Sequence, residues 1–178
     1  MVEFQSDRLD FSPLVSEMVT QRYPDALNNP EINQYLETRH EQQDIDSCRR
    51  YIAECNSDDS SRMFGVFLQS DGSHIGNVKI GYINWLYKTA EISLVVLEQS
   101  CSGQGLGFEM VHAATNYAFR VLKLEKIEAG CLAANKASLR VFEKAGYKKE
   151  GLIRESIVLN GERADYFLLG IINSEFVQ

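Results

Sequence analysis

Long apolar runs are missing from this 178-residue chain. No stretch approaches the about eighteen residues that a membrane-spanning helix needs, so no membrane partner is expected. Basic charge is in deficit as well. Lys and Arg number 18 against 25 Asp and Glu, a formal net charge of −7. A general nucleic-acid binder needs a basic surface for phosphate contacts, and that class is excluded. Cys48, Cys55, Cys101 and Cys131 show neither C-x-x-C pairing nor zinc-finger spacing, and read as reduced thiols in a reducing compartment. His40, His74 and His112 are scattered without ligand spacing, so no metal site is expected. The first eight residues lack the basic segment and apolar core of a signal peptide, which makes a cytoplasmic location the expectation. No repeat, low-complexity tract or linker divides the chain, and one domain over residues 1–178 is expected.

What the chain does carry is a glycine-rich loop, Ser102-Gly103-Gln104-Gly105-Leu106-Gly107, between an apolar run ending at Leu97 and a helical pattern starting by Gln104. Glycines let backbone approach a ligand closely, and a helix N-terminus presents unpaired N–H groups with a positive dipole. Together they make a phosphate cradle. Before the loop, residues 9–14 read as a strand, helical material follows from about Val15, and Asn29-Pro30-Glu31 turns into a short helix. Ile45, Cys48, Ile52 and Cys55 place a further helix over residues 44–55. The period then becomes strand-like: Phe64, Val66 and Leu68 alternate, Asp71-Gly72 marks a hairpin, and residues 75–87 form a long strand. Residues 90–97 deliver the chain to the loop, with Ile92, Leu94 and Val96 on one face and Glu91, Ser93 and Val95 on the other.

After the loop, a helix runs to about Val121 with Leu106, Met110, Ala113 or Ala114, Tyr117 and Val121 as its apolar stripe. A strand over 125–133 follows, then a helix capped by Asn135 and ended by Gly146. Strands over 147–159 and 162–172 flank the hairpin signal Asn160-Gly161. The expected fold class is α/β (α+β): a mixed, mostly antiparallel central sheet of about seven strands, flanked by helices, around one strand–loop–helix–strand unit.

The loop, and the run Asn135-Lys136-Ala137-Ser138-Leu139-Arg140-Val141-Phe142-Glu143-Lys144-Ala145-Gly146-Tyr147, resemble the GNAT superfamily of acyl-CoA-dependent N-acetyltransferases. Within it, the branch containing ribosomal-protein-alanine N-acetyltransferases looks nearest. The resemblance covers nearly the whole chain and is strongest over residues 75–172. A dinucleotide-binding fold is the rival reading of a glycine loop. It fails because G-x-G-x-x-G from Gly103 or Gly105 would need glycine at Phe108 or Met110.

The resemblance implies acetyl-CoA as acyl donor, with its pyrophosphate on Ser102, Gly103, Gln104, Gly105, Leu106 and Gly107. Ser102 stands where the family has Arg or Gln, and Gln99 where it often has Pro. The strand entering the loop is expected to splay from its neighbour, Leu97 to carry the pantetheine arm through its backbone, and Val95 N–H to polarise the thioester carbonyl. Asn135 would bond the cofactor as well as cap its helix, and Lys144 would meet a CoA phosphate. The family's proton-donating Tyr slot is Phe142 here, so Ser138 becomes the candidate partner of the departing thiolate. Glu91 is the candidate base for the amine, which titrates at about 10.4 when lysine-like. No cysteine is spaced with a histidine as a covalent nucleophile, so direct attack in a ternary complex is expected.

For the acceptor, a primary amine of a small molecule is favoured. The stretch His74-Ile75-Gly76-Asn77-Val78-Lys79-Ile80-Gly81 looks like that of members acting on amino sugars, which makes an amino sugar or sugar nucleotide the candidate. Asn77, Tyr82 and Asn84 would read its hydroxyls, with Trp85 shaping the pocket. A protein N-terminal α-amine and a non-catalytic acyl-CoA-binding domain stand as alternatives. A monomer or homodimer is expected.

Overall fold

The computed structural model describes residues 1–101 and 103–177. One sheet holds eight strands: β1 (Phe4–Gln5), β2 (Leu9–Pro13), β3 (Arg62–Leu68), β4 (His74–Asn84), β5 (Thr89–Val96), β6 (Lys126–Leu132), β7 (Lys148–Leu159) and β8 (Glu162–Ile172). Their spatial order is β1-β2-β3-β4-β5-β6-β8-β7, and every neighbouring pair is antiparallel except β5 with β6. The helices are α1 (Arg22–Asn28), α2 (Pro30–Asn33), α3 (Ile45–Cys55), α4 (Leu106–Arg120) and α5 (Lys136–Lys144). The strand beyond the expected seven is β1, whose two residues pair with Phe11 and Asp10. Two residues are too short to show a period.

Local chemistry sets the element ends. Asp44 and Ser47 form a reciprocal capping box at the start of α3, and Asn29 caps α2 ahead of Pro30. The strand expected to reach residue 87 stops at Asn84, whose Oδ1 accepts the N–H groups of Leu86 and Tyr87 at 3.1 and 3.0 Å and turns the chain. Val121 leaves the expected stripe of α4: it lies past the helix end and is 57% exposed.

The two sheet faces bury different layers. Val66, Val78, Ile80, Ile92 and Ile127 pack with Met110, Ala114 and Ala118 of α4. On the opposite face Leu14, Met63 and Leu97 pack with Tyr23, Leu27, Cys48 and Ile52 from α1 and α3. All four cysteines are buried free thiols. Among the described residues no helix is long and apolar enough to cross a membrane.

Candidate active site

Three register pairs join β5 to β6: Thr89↔Lys126, Ala90↔Ile127 and Glu91↔Glu128. Beyond Glu91 that ladder stops, while β5 keeps its other partner, β4, as far as Gly76↔Val96. A cleft therefore opens between the second half of β5 and the second half of β6. Ladder parity decides which backbone groups face it. Leu97 gives its N–H to Ile75 O at 2.8 Å on the β4 side, and Lys88 O accepts from Glu125 N at 2.7 Å on the β6 side. Backbone groups alternate sides along a strand, so Glu91, Ser93 and Val95 point theirs at β4, and Ile92, Leu94 and Val96 point theirs into the cleft.

Val95 N–H and the Leu97 backbone, the groups expected to serve the cofactor, point into the β4–β5 ladder, and Leu94 and Val96 are the residues of this stretch whose backbone groups face the cleft. In the ligand-free protein, amide hydrogen exchange is expected to be slow at Val95 and Leu97 and fast at Leu94 and Val96. Adding CoA should slow the second pair. Equal protection of all four without ligand would contradict this assignment.

The side chains of Glu91, Ser93 and Val95 share the face of α1 to α3 with their register neighbours Gly81, Lys79 and Asn77. A cavity of about 700 Å³ opens over this face, and its wall carries the carboxylates Glu37, Glu41 and Glu54 against the cations Arg50 and Lys79. Asn77 belongs to the wall and is 2% exposed. Its Oδ1 lies 2.8 Å from His74 Nε2, while its Nδ2 lies beside the Tyr23 hydroxyl without completing a hydrogen bond. Glu91 is half-buried, two residues from the wall residue Ser93. Burial raises its pKa, the Glu128 carboxylate raises it further, and Lys79 pulls the other way.

At the end of β5 the backbone turns through Gly103 and Gly105, at φ +77° and +79°, and Gly105 is the left-handed N-cap of α4. The first helical bond runs from Glu109 N to Gly105 O, so the N–H groups of Leu106, Gly107 and Phe108 point out of the helix end. A side chain at Gly103 would meet nothing within 4 Å. This open, donor-lined end fits a pyrophosphate. The Leu106 side chain is in the core, so that residue offers only backbone, and the Gln104 amide donates back to Ser100 O at 2.7 Å. Ser102 lies outside the described residues. Arg8 reaches the loop from β2's leading edge, donating to Gln104 O at 3.2 Å and pairing with Glu109 at 2.7 Å. Lys144 holds its ammonium 4.4 Å from the Phe108 ring centroid, beside the same helix end.

Asn135 caps α5 by accepting Ser138 N at 3.0 Å, and the Ser138 hydroxyl makes no hydrogen bond among the described residues. Phe142 is 2% exposed and stacks edge-on against Tyr147 at 5.0 Å, a core residue. No group of three or more His, Cys, Asp or Glu placed to hold a metal occurs among the described residues.

Residues 8–148 match the family model of the acetyltransferase (GNAT) domain. The chain is a GNAT-family member. The probable N-acetyltransferase YjcK of Bacillus subtilis is 39% identical over 118 residues, 66% of this chain and 65% of that one. A spermidine N(1)-acetyltransferase of Vibrio cholerae is 26% identical over 120 residues, 67% of this chain and 68% of its own length. The matches thus span about two thirds of these relatives, slightly less for the Bacillus protein. The crystal structure of a Vibrio cholerae spermidine N-acetyltransferase with CoA and spermine superposes with a TM-score of 0.84 at 23% identity, covering 97% of this chain and all of that one. At this identity the likeness is one of fold.

Within this GNAT domain three of the four expected acceptor residues lie outside the cavity wall, which keeps only Asn77. Asn84 is used by the β4–β5 turn, and Trp85 donates its indole N–H to Asp59 O at 3.1 Å, so neither lines the cavity. Tyr82 is 77% exposed, with the Lys79 ammonium 5.6 Å from its ring centroid, and also stays outside the cavity wall. The sequence reading missed Glu37, Glu41 and Glu54. Glu37 lies in a single 3-10 turn, Glu41 just past it and Glu54 in α3, none within a motif, and they reach one wall only once α1 to α3 have folded onto the sheet.

Proposed function

We propose that this GNAT domain transfers the acetyl group of acetyl-CoA to a primary amine of a small cationic molecule, by direct attack in a ternary complex. The observation that carries this reading is the β5–β6 cleft opening at Glu91 beside a carboxylate-walled cavity. Acetyl-CoA supplies the activated acyl group. The Gly103 to Gly107 turn and the first N–H groups of α4 bind its pyrophosphate, with Lys144 at a neighbouring phosphate. Leu94 and Val96 offer backbone to the pantetheine arm and to the thioester carbonyl, where N–H donors stabilise developing negative charge. Asn135 holds the start of α5, and the free Ser138 hydroxyl hydrogen-bonds the sulfur in place of the buried Phe142. Glu91, directly or through water, takes the proton of the attacking amine.

An aliphatic polyamine is the acceptor class we favour. The wall's three carboxylates outnumber its two cations, and with the net charge of −7 this balance attracts cations; the likeness to spermidine acetyltransferases points the same way. The amino-sugar expectation is left with Asn77 alone at the cavity wall, because Asn84 and Tyr82 lie off it. One assay tests the whole reading: CoA release with polyamines, amino sugars and peptides bearing free N-termini. Polyamines are expected to turn over best. Turnover of peptides or amino sugars alone would overturn the acceptor assignment. CoA binding without any turnover would make the protein a non-catalytic acyl-CoA binder.

A further inference from the structure

Tyr166 stands on β8 opposite Leu132 of β6 and Ile153 of β7. Its ring leans across Gly130: a methyl group there would press on the hydroxyl and come within 2.5 Å of two ring carbons. Gly130 belongs to the stretch of β6 that β5 has left. Side chains alternate along β8, so Tyr166 shares a face with Leu168 and Gly170, opposite the buried Leu169 and Ile171. Leu168 and Gly170 are register partners of Gly130 and Glu128, and Glu128 is the partner of Glu91. The phenol therefore stands across the cleft from Glu91, on the sheet face that looks toward the cavity.

Its electrostatic surroundings agree with that position. Burial raises its pKa, and the carboxylates of Glu91 and Glu37 add to the rise with Cys131. It is a neutral hydroxyl under working conditions, able to accept and to donate. Among the described residues it has no hydrogen-bond partner. A half-buried hydroxyl between a wall carboxylate and the candidate base, with no partner among the described residues, is placed for a ligand.

We propose that Tyr166 is an acceptor-binding residue: its hydroxyl hydrogen-bonds the substrate nitrogen between the cavity and Glu91, and Gly130 makes room for it. The oxygen accepts one hydrogen of the ammonium in a charge-assisted bond and leaves another for Glu91. This inference rests on the acyl-transfer reading above and adds a residue to the acceptor side of that site.

Tyr166→Phe keeps the ring on Gly130 and removes only the hydroxyl. With spermidine as probe, kcat/KM is expected to fall by about tenfold to a hundredfold, the range of a hydrogen bond to a charged group. Acetyl-CoA affinity should hold. Thermal stability should hold too, because the hydroxyl has no partner among the described residues. Gly130→Ala should give a similar loss by displacing the ring, and little further loss when added to Tyr166→Phe. Unchanged kcat/KM in Tyr166→Phe would overturn this proposal and leave acyl transfer standing. Absence of acetyl-CoA binding by the wild type would instead sink the functional reading itself. Should the wild type bind CoA without turning spermidine over, calorimetry of spermidine on the CoA complex decides. Weaker binding by Tyr166→Phe supports the role; equal binding, or none by the wild type, overturns it.

Discussion

Gly105→Asp is expected to weaken acetyl-CoA binding by about a hundredfold or more while the domain stays folded. Gly105 sits at φ +79° as the N-cap of α4, ahead of three N–H groups without helical partners. Aspartate is among the few residues that tolerate a left-handed conformation, and it is a favourable N-cap beside the positive end of a helix dipole. Those properties preserve the helix and ruin the site, because the new carboxylate takes the N–H groups and repels a pyrophosphate. Losing two charge-assisted hydrogen bonds at about 1.5–3 kcal/mol each corresponds to at least a hundredfold in affinity. Gly105→Ala brings the backbone strain without the charge, and its loss should be smaller. Calorimetry with CoA, beside circular dichroism of each variant, reads both effects. An aspartate variant that binds CoA normally would remove this loop from cofactor binding.

Glu91→Gln is expected to lower kcat by about a hundredfold or more, the usual scale for losing a positioned base. The direction of its pKa gives a sharper test. Only the carboxylate can accept a proton, so activity should rise with pH through a pKa above the ordinary carboxylate range. Glu91→Gln should erase this acidic limb. Glu128→Gln removes a neighbour that raises the pKa, so the limb should move to lower pH. Lys79→Met removes a neighbour that lowers it, and the limb should move to higher pH. Opposite displacements in these two variants would tie the limb to Glu91. A limb that survives Glu91→Gln unchanged would assign the base to another group.

The elements of this fold were legible because most carry clean periods and end signals. Asp44, Asn135, Gly146 and Asn160-Gly161 stand where chain direction or conformation changes, and the alternation of residues 91–96 matches the two buried layers. The glycine loop was legible because its chemistry is local. Backbone direction at the site was not. The β4–β5 register shifts by one between Gly81 and Asn84, where Tyr82 adopts φ +51°, and nothing in the residue types announces a bulge at a tyrosine. Tyr166 stayed hidden for a different reason. Its position is defined by Gly130, 36 residues earlier on another strand.

The turn at Asn84 has a bearing on how this gene can drift. Leu86 and Tyr87 at its tip are 81% and 71% exposed, and their side chains are free to vary. The number of residues there is not free. Side-chain and backbone directions along β5 both repeat every two positions, so a one-residue slip of β5 from a deletion between Asn84 and Thr89 would put Ile92 in the place of Glu91, turn Glu91 to the opposite face and turn the N–H of Val96 away from the cleft. A two-residue insertion would keep the phase. Length polymorphism in this hairpin should therefore be confined to even steps, although the turn lies outside the cavity whose chemistry it controls.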